Sequence, residues 1–192
     1  MADDWRRTIA WLALDEPRIE HAALSRGPRG FETRGRMAGA INGAPAWAAY
    51  RLELDHEWQT RRLRAVHSVG GAAGRLLLRR DEDGVWGDHT GERPDLAGCT
   101  DVDLAWTPLT NTLPIRRLGL AVGESRAISV AYVAPDLSVS PDGQRYTRLA
   151  PHRWRFDSLD SDFTAELTVD GDGLVIDYPP LFRRVAYWEA ER

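Results

Sequence analysis

The residues best placed to do chemistry lie between positions 101 and 117. Asp101 and Asp103 alternate with Val102 and Leu104, so on a strand both carboxylates share one face. Arg116 and Arg117 follow in the same stretch, about one turn into an expected short helix. Carboxylates accept hydrogen bonds from sugar hydroxyls, and a guanidinium forks onto phosphate or carboxylate, so the four together suit a polar head group. They also suit ion pairing with one another, which would anchor the helix to the sheet. A third assignment makes the two carboxylates the acid and the base or nucleophile of a glycosidase, since side chains two apart on a strand are neighbours. Acid pairs of this spacing are common, and the pattern by itself leaves all three open.

Other chemical patterns dissolve on inspection. Gly123-Glu124-Ser125-Arg126-Ala127 has the outline of a nucleophile elbow but opens a strand instead of joining strand to helix. Asp170-Gly171-Asp172-Gly173 resembles the start of a calcium loop without its later ligands, and a hairpin turn explains it. His21, His56, His67, His89 and His152 show no metal-binding spacing. His56 and His67 fall on apolar registers and are expected in the core. Cys99 has no basic neighbour and behaves as a small hydrophobe. No metal, cofactor or catalytic residue is expected.

All 25 basic residues are arginine, with no lysine anywhere. That excludes the phosphate-loop, Schiff-base and protein-kinase chemistries, each centred on a Lys amine. A net charge of −4 and scattered Arg pairs argue against a nucleic-acid partner. A lone Cys cannot form an internal disulfide. The opening residues, with acids ahead of Trp5, carry no apolar signal segment, and no run is long enough to span a membrane. The expected compartment is cytoplasmic. At 192 residues, with 43% hydrophobic, the chain is expected to form one domain over 1–192.

The elements that must position these residues are strands. Tyr50, Leu52, Leu54, His56 and Trp58 alternate with Arg51, Glu53, Asp55 and Glu57. Phe163, Ala165, Leu167 and Val169 alternate with polar partners, as do Ile128, Val130 and Tyr132, and His152, Trp154 and Phe156. Each is a strand with one buried and one wet face. Turns are expected at Asp81–Gly84, Ser140–Gly143 and Asp170–Gly173, where Asp-Gly tolerates positive φ, and at Gly70–Gly74. About a dozen strands are expected, and a sheet of that size curls or closes. The stretch Thr107–Gly119 alone breaks the alternation. Asn111 or Thr112 is expected to cap a short helix there, with Pro114 in its first turn and Gly119 at its end. Leu109, Leu113, Ile115 and Leu118 are too apolar for a free loop, which places the segment inside the roll. Eight Trp residues serve packing first, and such amphipathic rings also suit a pocket mouth.

The run Asp101-Val102-Asp103-Leu104-Ala105-Trp106-Thr107-Pro108-Leu109-Thr110-Asn111-Thr112-Leu113-Pro114-Ile115-Arg116-Arg117-Leu118 closely resembles the signature of a bacterial family labelled glycolipid-binding. Glu20-His21, Gly84–Gly87, Ala131–Pro135, Gln144–Thr147 and Gly173–Pro179 extend the resemblance along nearly the whole chain. Leu109 departs from it, standing where an aromatic is expected. The resemblance implies a spiral, mainly antiparallel β-roll or half-open barrel around a short central helix. That fold is similar to lipoprotein carriers and to a cofactor-free biosynthetic enzyme. It implies an amphipathic small-molecule partner, with the apolar part against the concave face of the sheet. The polar head would meet Asp101, Asp103, Asn111, Thr112, Arg116 and Arg117, with Gln144, Tyr146 and Tyr178 beside them. The alternatives are a cofactor-free enzyme acting on a hydrophobic intermediate, and a module whose concave face binds a protein.

Overall fold

The computed structural model describes residues 5–190; the acidic opening residues on which the absence of a signal segment was judged lie outside the described residues. Fifteen strands follow in chain order. The first six are long: β1 (Arg6–Ala13), β2 (Arg18–Gly27), β3 (Gly30–Ile41), β4 (Ala44–Leu54), β5 (Thr60–Val69) and β6 (Ala72–Arg80). Short β7 (Trp86–Asp88), β8 (Gly91–Glu92) and β9 (Asp101–Leu104) lead to the only α-helix among the described residues, α1 (Thr112–Leu118). The rest are β10 (Ser125–Val133), β11 (Val139–Ala150), β12 (Arg153–Ser158), β13 (Thr164–Val169), β14 (Val175–Tyr178) and β15 (Phe182–Glu189).

All fifteen form one sheet, ordered β8-β7-β6-β5-β4-β3-β2-β1-β15-β14-β13-β12-β11-β10-β9. Neighbours are antiparallel except β9 and β10, which run parallel. The sheet does not close by pairing its ends. Instead the edge at β9 folds back onto β5. The Val102 amide donates to Thr60 Oγ1 at 3.2 Å, and the Thr60 amide donates to the Thr100 carbonyl at 3.3 Å. A sheet of this width must curl to bury its apolar face, and this contact makes the curl a spiral.

Alternation does the inward sorting. Along β13, Ala165, Leu167 and Val169 are buried while Thr164, Glu166 and Thr168 are exposed. Two expectations fail for local reasons. The strand through Tyr50 ends at Leu54, because Asp55 Oδ1 accepts from the amides of Glu57 (3.0 Å) and Gln59 (2.9 Å) and closes a turn. His56 is therefore exposed, whereas His67 is buried as expected. Ser140–Gly143 lies inside β11, and the chain reverses instead at Asp136-Leu137, where Leu137 has φ 67°. Pro141 is tolerated there because β12 joins β11 only from Gln144 onward, leaving that stretch an edge.

The concave face is filled by the chain's own central segment. A 3-10 turn, Leu109–Asn111, runs directly into α1, and Gly119 (φ 56°) ends it. Leu109 and Leu113 are each 1% exposed and pack with the cluster under β1–β6, while Ile115 packs with the cluster under β11–β15. The helix thus divides the interior into two apolar cores.

Candidate functional site

The expected site residues are brought together, mostly inside the protein. Arg117 donates from Nη2 to Asp101 Oδ2 at 2.5 Å and from Nε to Oδ1 at 3.3 Å, and the Asp101 side chain is fully buried. This joins β9 to α1. Asp103 accepts from Thr110 Oγ1 at 2.7 Å and from Gln144 Nε2 at 2.8 Å. Burial pushes both carboxyls above their ordinary range, against the pull of Arg117 on Asp101 and of the Thr110 and Gln144 donors on Asp103. Asn111 does not cap the helix, since its backbone is already helical. Its Oδ1 accepts from the Tyr146 hydroxyl at 2.9 Å, and its Nδ2 donates to the Pro108 carbonyl at 3.3 Å. Thr112 is fully buried, its Oγ1 lacking a partner. Tyr178 is buried against Phe156 and Phe182, and burial raises both its hydroxyl and that of Tyr146.

Of the nine, only Arg116 and Arg117 line the cleft of about 470 Å³ at the C-terminal end of α1. Three other segments complete it: His56, Glu57 and Trp58 from the β4–β5 turn; Arg148, Pro151, His152 and Trp154 from β11–β12; and Asp170, Gly171 and Gly173 from the β13–β14 turn. Sequence reasoning placed Trp154 on an apolar face and missed Glu57, Trp58 and Arg148 as residues that line one cleft with Arg116. The available signal was Asp55, a turn-opening residue inside an otherwise alternating run.

Each wall of the cleft carries a tryptophan under an arginine. The Trp58 ring stacks on Phe31 at 4.2 Å, meets Trp5 edge-on at 6.1 Å, and has the Arg116 guanidinium 5.2 Å from its centroid. Trp58 holds φ 66°, a backbone state costly for a residue with a Cβ, so this packing maintains a strained turn. Opposite, Arg148 lies 5.6 Å from the Trp154 centroid and donates to the carbonyls of Leu120 (2.8 Å) and Pro151 (3.0 Å). Gly173, at φ 75°, allows α1 to approach, since a Cβ there would stand 3.1 Å from Arg116 Cδ and 3.2 Å from Ile115 Cγ2. Among the described residues no cluster of three or more His, Cys, Asp or Glu could hold a metal, and no helix is long and apolar enough to cross a membrane.

Comparison with known proteins places this architecture. Residues 8–184 match a family described as "Putative glycolipid-binding". The chain is also similar to a DUF1089 family protein from Pseudomonas aeruginosa, whose crystal structure superposes with a TM-score of 0.76. The two are 37% identical, over 86% of this chain and 92% of that one. No curated protein matches.

Proposed function

We propose, because the chain belongs to this glycolipid-binding family, that the cleft at the end of α1 receives the polar head of an amphipathic ligand, a glycolipid. One observation carries the reading: a cleft of sugar size is walled by two arginines, each over a tryptophan, and edged by Glu57, His56 and His152. The two rings are themselves nearly covered, 4% and 3% exposed, so they serve as platforms for the guanidiniums, and the charged groups of the cleft hydrogen-bond the hydroxyls of a sugar. Because α1 and the 3-10 turn occupy the concave face, where the sequence led to the expectation of the acyl part, this reading leaves that part outside the roll. It remains at the open side of the cleft, in whatever lipid phase supplies it. Arg116 and Arg117 act on the cleft wall. Asp101, Asp103, Asn111, Thr112, Gln144, Tyr146 and Tyr178 act one step back, holding the helix that presents them.

The test is co-flotation of the protein with phosphatidylcholine vesicles that carry, or lack, a galactosyl diacylglycerol. Binding that requires the sugar lipid and is lost in Trp58→Ala and Trp154→Ala, with folding checked by circular dichroism, supports the reading. No difference between the two vesicle types sinks it.

A further inference from the structure

We infer that the same cleft selects anionic head groups, a sulfate, phosphate or carboxylate borne on the lipid, with Arg116 and Arg148 reading the charge. The inference rests on the cleft being the ligand site and adds which ligands it prefers. Charge pairing within the cleft is the basis. Among its cations, Arg117 is consumed by the buried Asp101. Arg116 is exposed and makes no ion pair or hydrogen bond among the described residues, only its contact with Trp58. Arg148 bonds two neutral carbonyls and no carboxylate. Among the acids, Asp170 is taken up by Arg184 at 2.6 Å and by the amides of Asp172 and Leu174, both at 3.0 Å. Glu57, exposed at the edge, is the one lining carboxylate left to oppose two guanidiniums.

Contact with the rings leaves these two cations their donors as well as their charge. The attraction of a ring face for a guanidinium consumes none of its N–H groups, which stay available to an acceptor. Arg148 retains a second N–H on each terminal nitrogen beyond those given to Leu120 and Pro151. Trp58 is itself held by Phe31, so the ring that Arg116 lies over is fixed in place before a ligand arrives. A neutral sugar would leave the cleft with more cationic than anionic groups in a partly enclosed site. An anionic one offsets the excess.

The experiment compares phosphatidylcholine vesicles doped with neutral galactosyl diacylglycerol and with anionic sulfoquinovosyl diacylglycerol. Wild type should bind the anionic lipid roughly tenfold more tightly, one charge-assisted hydrogen bond's worth. Arg116→Gln and Arg148→Gln should each erase that preference, read as the ratio of anionic to neutral affinity, and Arg34→Gln, on the outer face, should leave the ratio intact. Two variants on separate walls guard against one failing to fold. Equal binding of the two lipids by wild type overturns the charge selection and leaves the glycolipid reading standing. Binding of neither overturns both. A matching loss in Arg34→Gln also overturns the inference, since general surface charge then explains the preference. A last arm adds inorganic sulfate: displacement at concentrations similar to the lipid's supports charge reading with a free anion as its source, and weak displacement supports the lipid head.

Discussion

Tyr50 lies across Gly35. The two are direct partners in the β3–β4 ladder, and a Cβ on Gly35 would overlap the Tyr50 ring. The ring therefore reclines over β3 and carries its hydroxyl to Glu20 on β2, donating to Oε1 at 2.6 Å. Glu20 is 2% exposed and its Oε2 has no partner. Glu20 on β2 is thus buried two strands away from the Tyr50 that serves it on β4, and Gly35 on the strand between them lets the ring span the gap.

Gly35→Ala should be destabilising out of proportion to one methyl group. Overpacking costs about 1–3 kcal/mol, and expelling the ring also removes the donor to Glu20. The check is a denaturant midpoint for Gly35→Ala beside Tyr50→Phe, which loses the hydrogen bond alone. A midpoint for Gly35→Ala equal to wild type would show that the ring has room to move.

Glu20 should make stability fall as pH rises. Burial pushes its carboxyl from 4.5 up to about 7, against the Thr107 and Tyr50 donors. Below pH 4.5 the group is protonated in both states. Between about 4.5 and 7 the unfolded chain ionises first, so it binds fewer protons than the native state and stability declines, by roughly 3 kcal/mol in total. Above 7 the decline levels off. Glu20→Gln should flatten this part of the profile, measured by urea unfolding across the range. An unchanged slope in the variant would assign the pH dependence elsewhere.

The Asp101–Arg117 pair should be a support for α1. Removing one partner of a buried pair costs about 3–5 kcal/mol, because the other is left charged and unpaired. Asp101→Ala and Arg117→Ala should therefore each lower Tm markedly, and the double variant should lose less than their sum. Additive losses would mean the two groups act independently.

Gly173→Ala should couple the β13–β14 turn to the cleft. Its positive φ costs a side-chain residue about 1–2 kcal/mol, and the new methyl presses on Arg116 and Ile115. Weaker lipid binding in a variant that stays folded is expected. Gly43→Ala, also at positive φ (71°), with no atom within 4 Å of its new Cβ and outside the cleft, is the matched control. Equal binding by the two variants would detach the turn from the site.

The chain's own alternation determined its class of fold, because a period of two admits only strands and a wide strand set must curl. The break at Thr107–Gly119 likewise determined a helix, its glycine end, and its burial, since Leu109, Leu113 and Ile115 have nowhere else to go. The local pairing of Asp101 with Arg117 was also within reach, as both belong to one short segment. What tertiary structure decided was which groups face solvent. Asp103, Asn111 and Gln144 look like ligand-binding residues in sequence, yet inside the roll Gln144 donates to Asp103 and the Tyr146 hydroxyl donates to Asn111. The cleft is assembled from four segments far apart in the chain. Its key ring, Trp58, turns on a positive φ that no local pattern encodes and that the stacked Phe31, the edge-on Trp5 and the hydrogen bonds to Asp55 sustain. Strand periodicity is a property of neighbours along the chain, whereas a site on a spiral roll is made where distant turns meet.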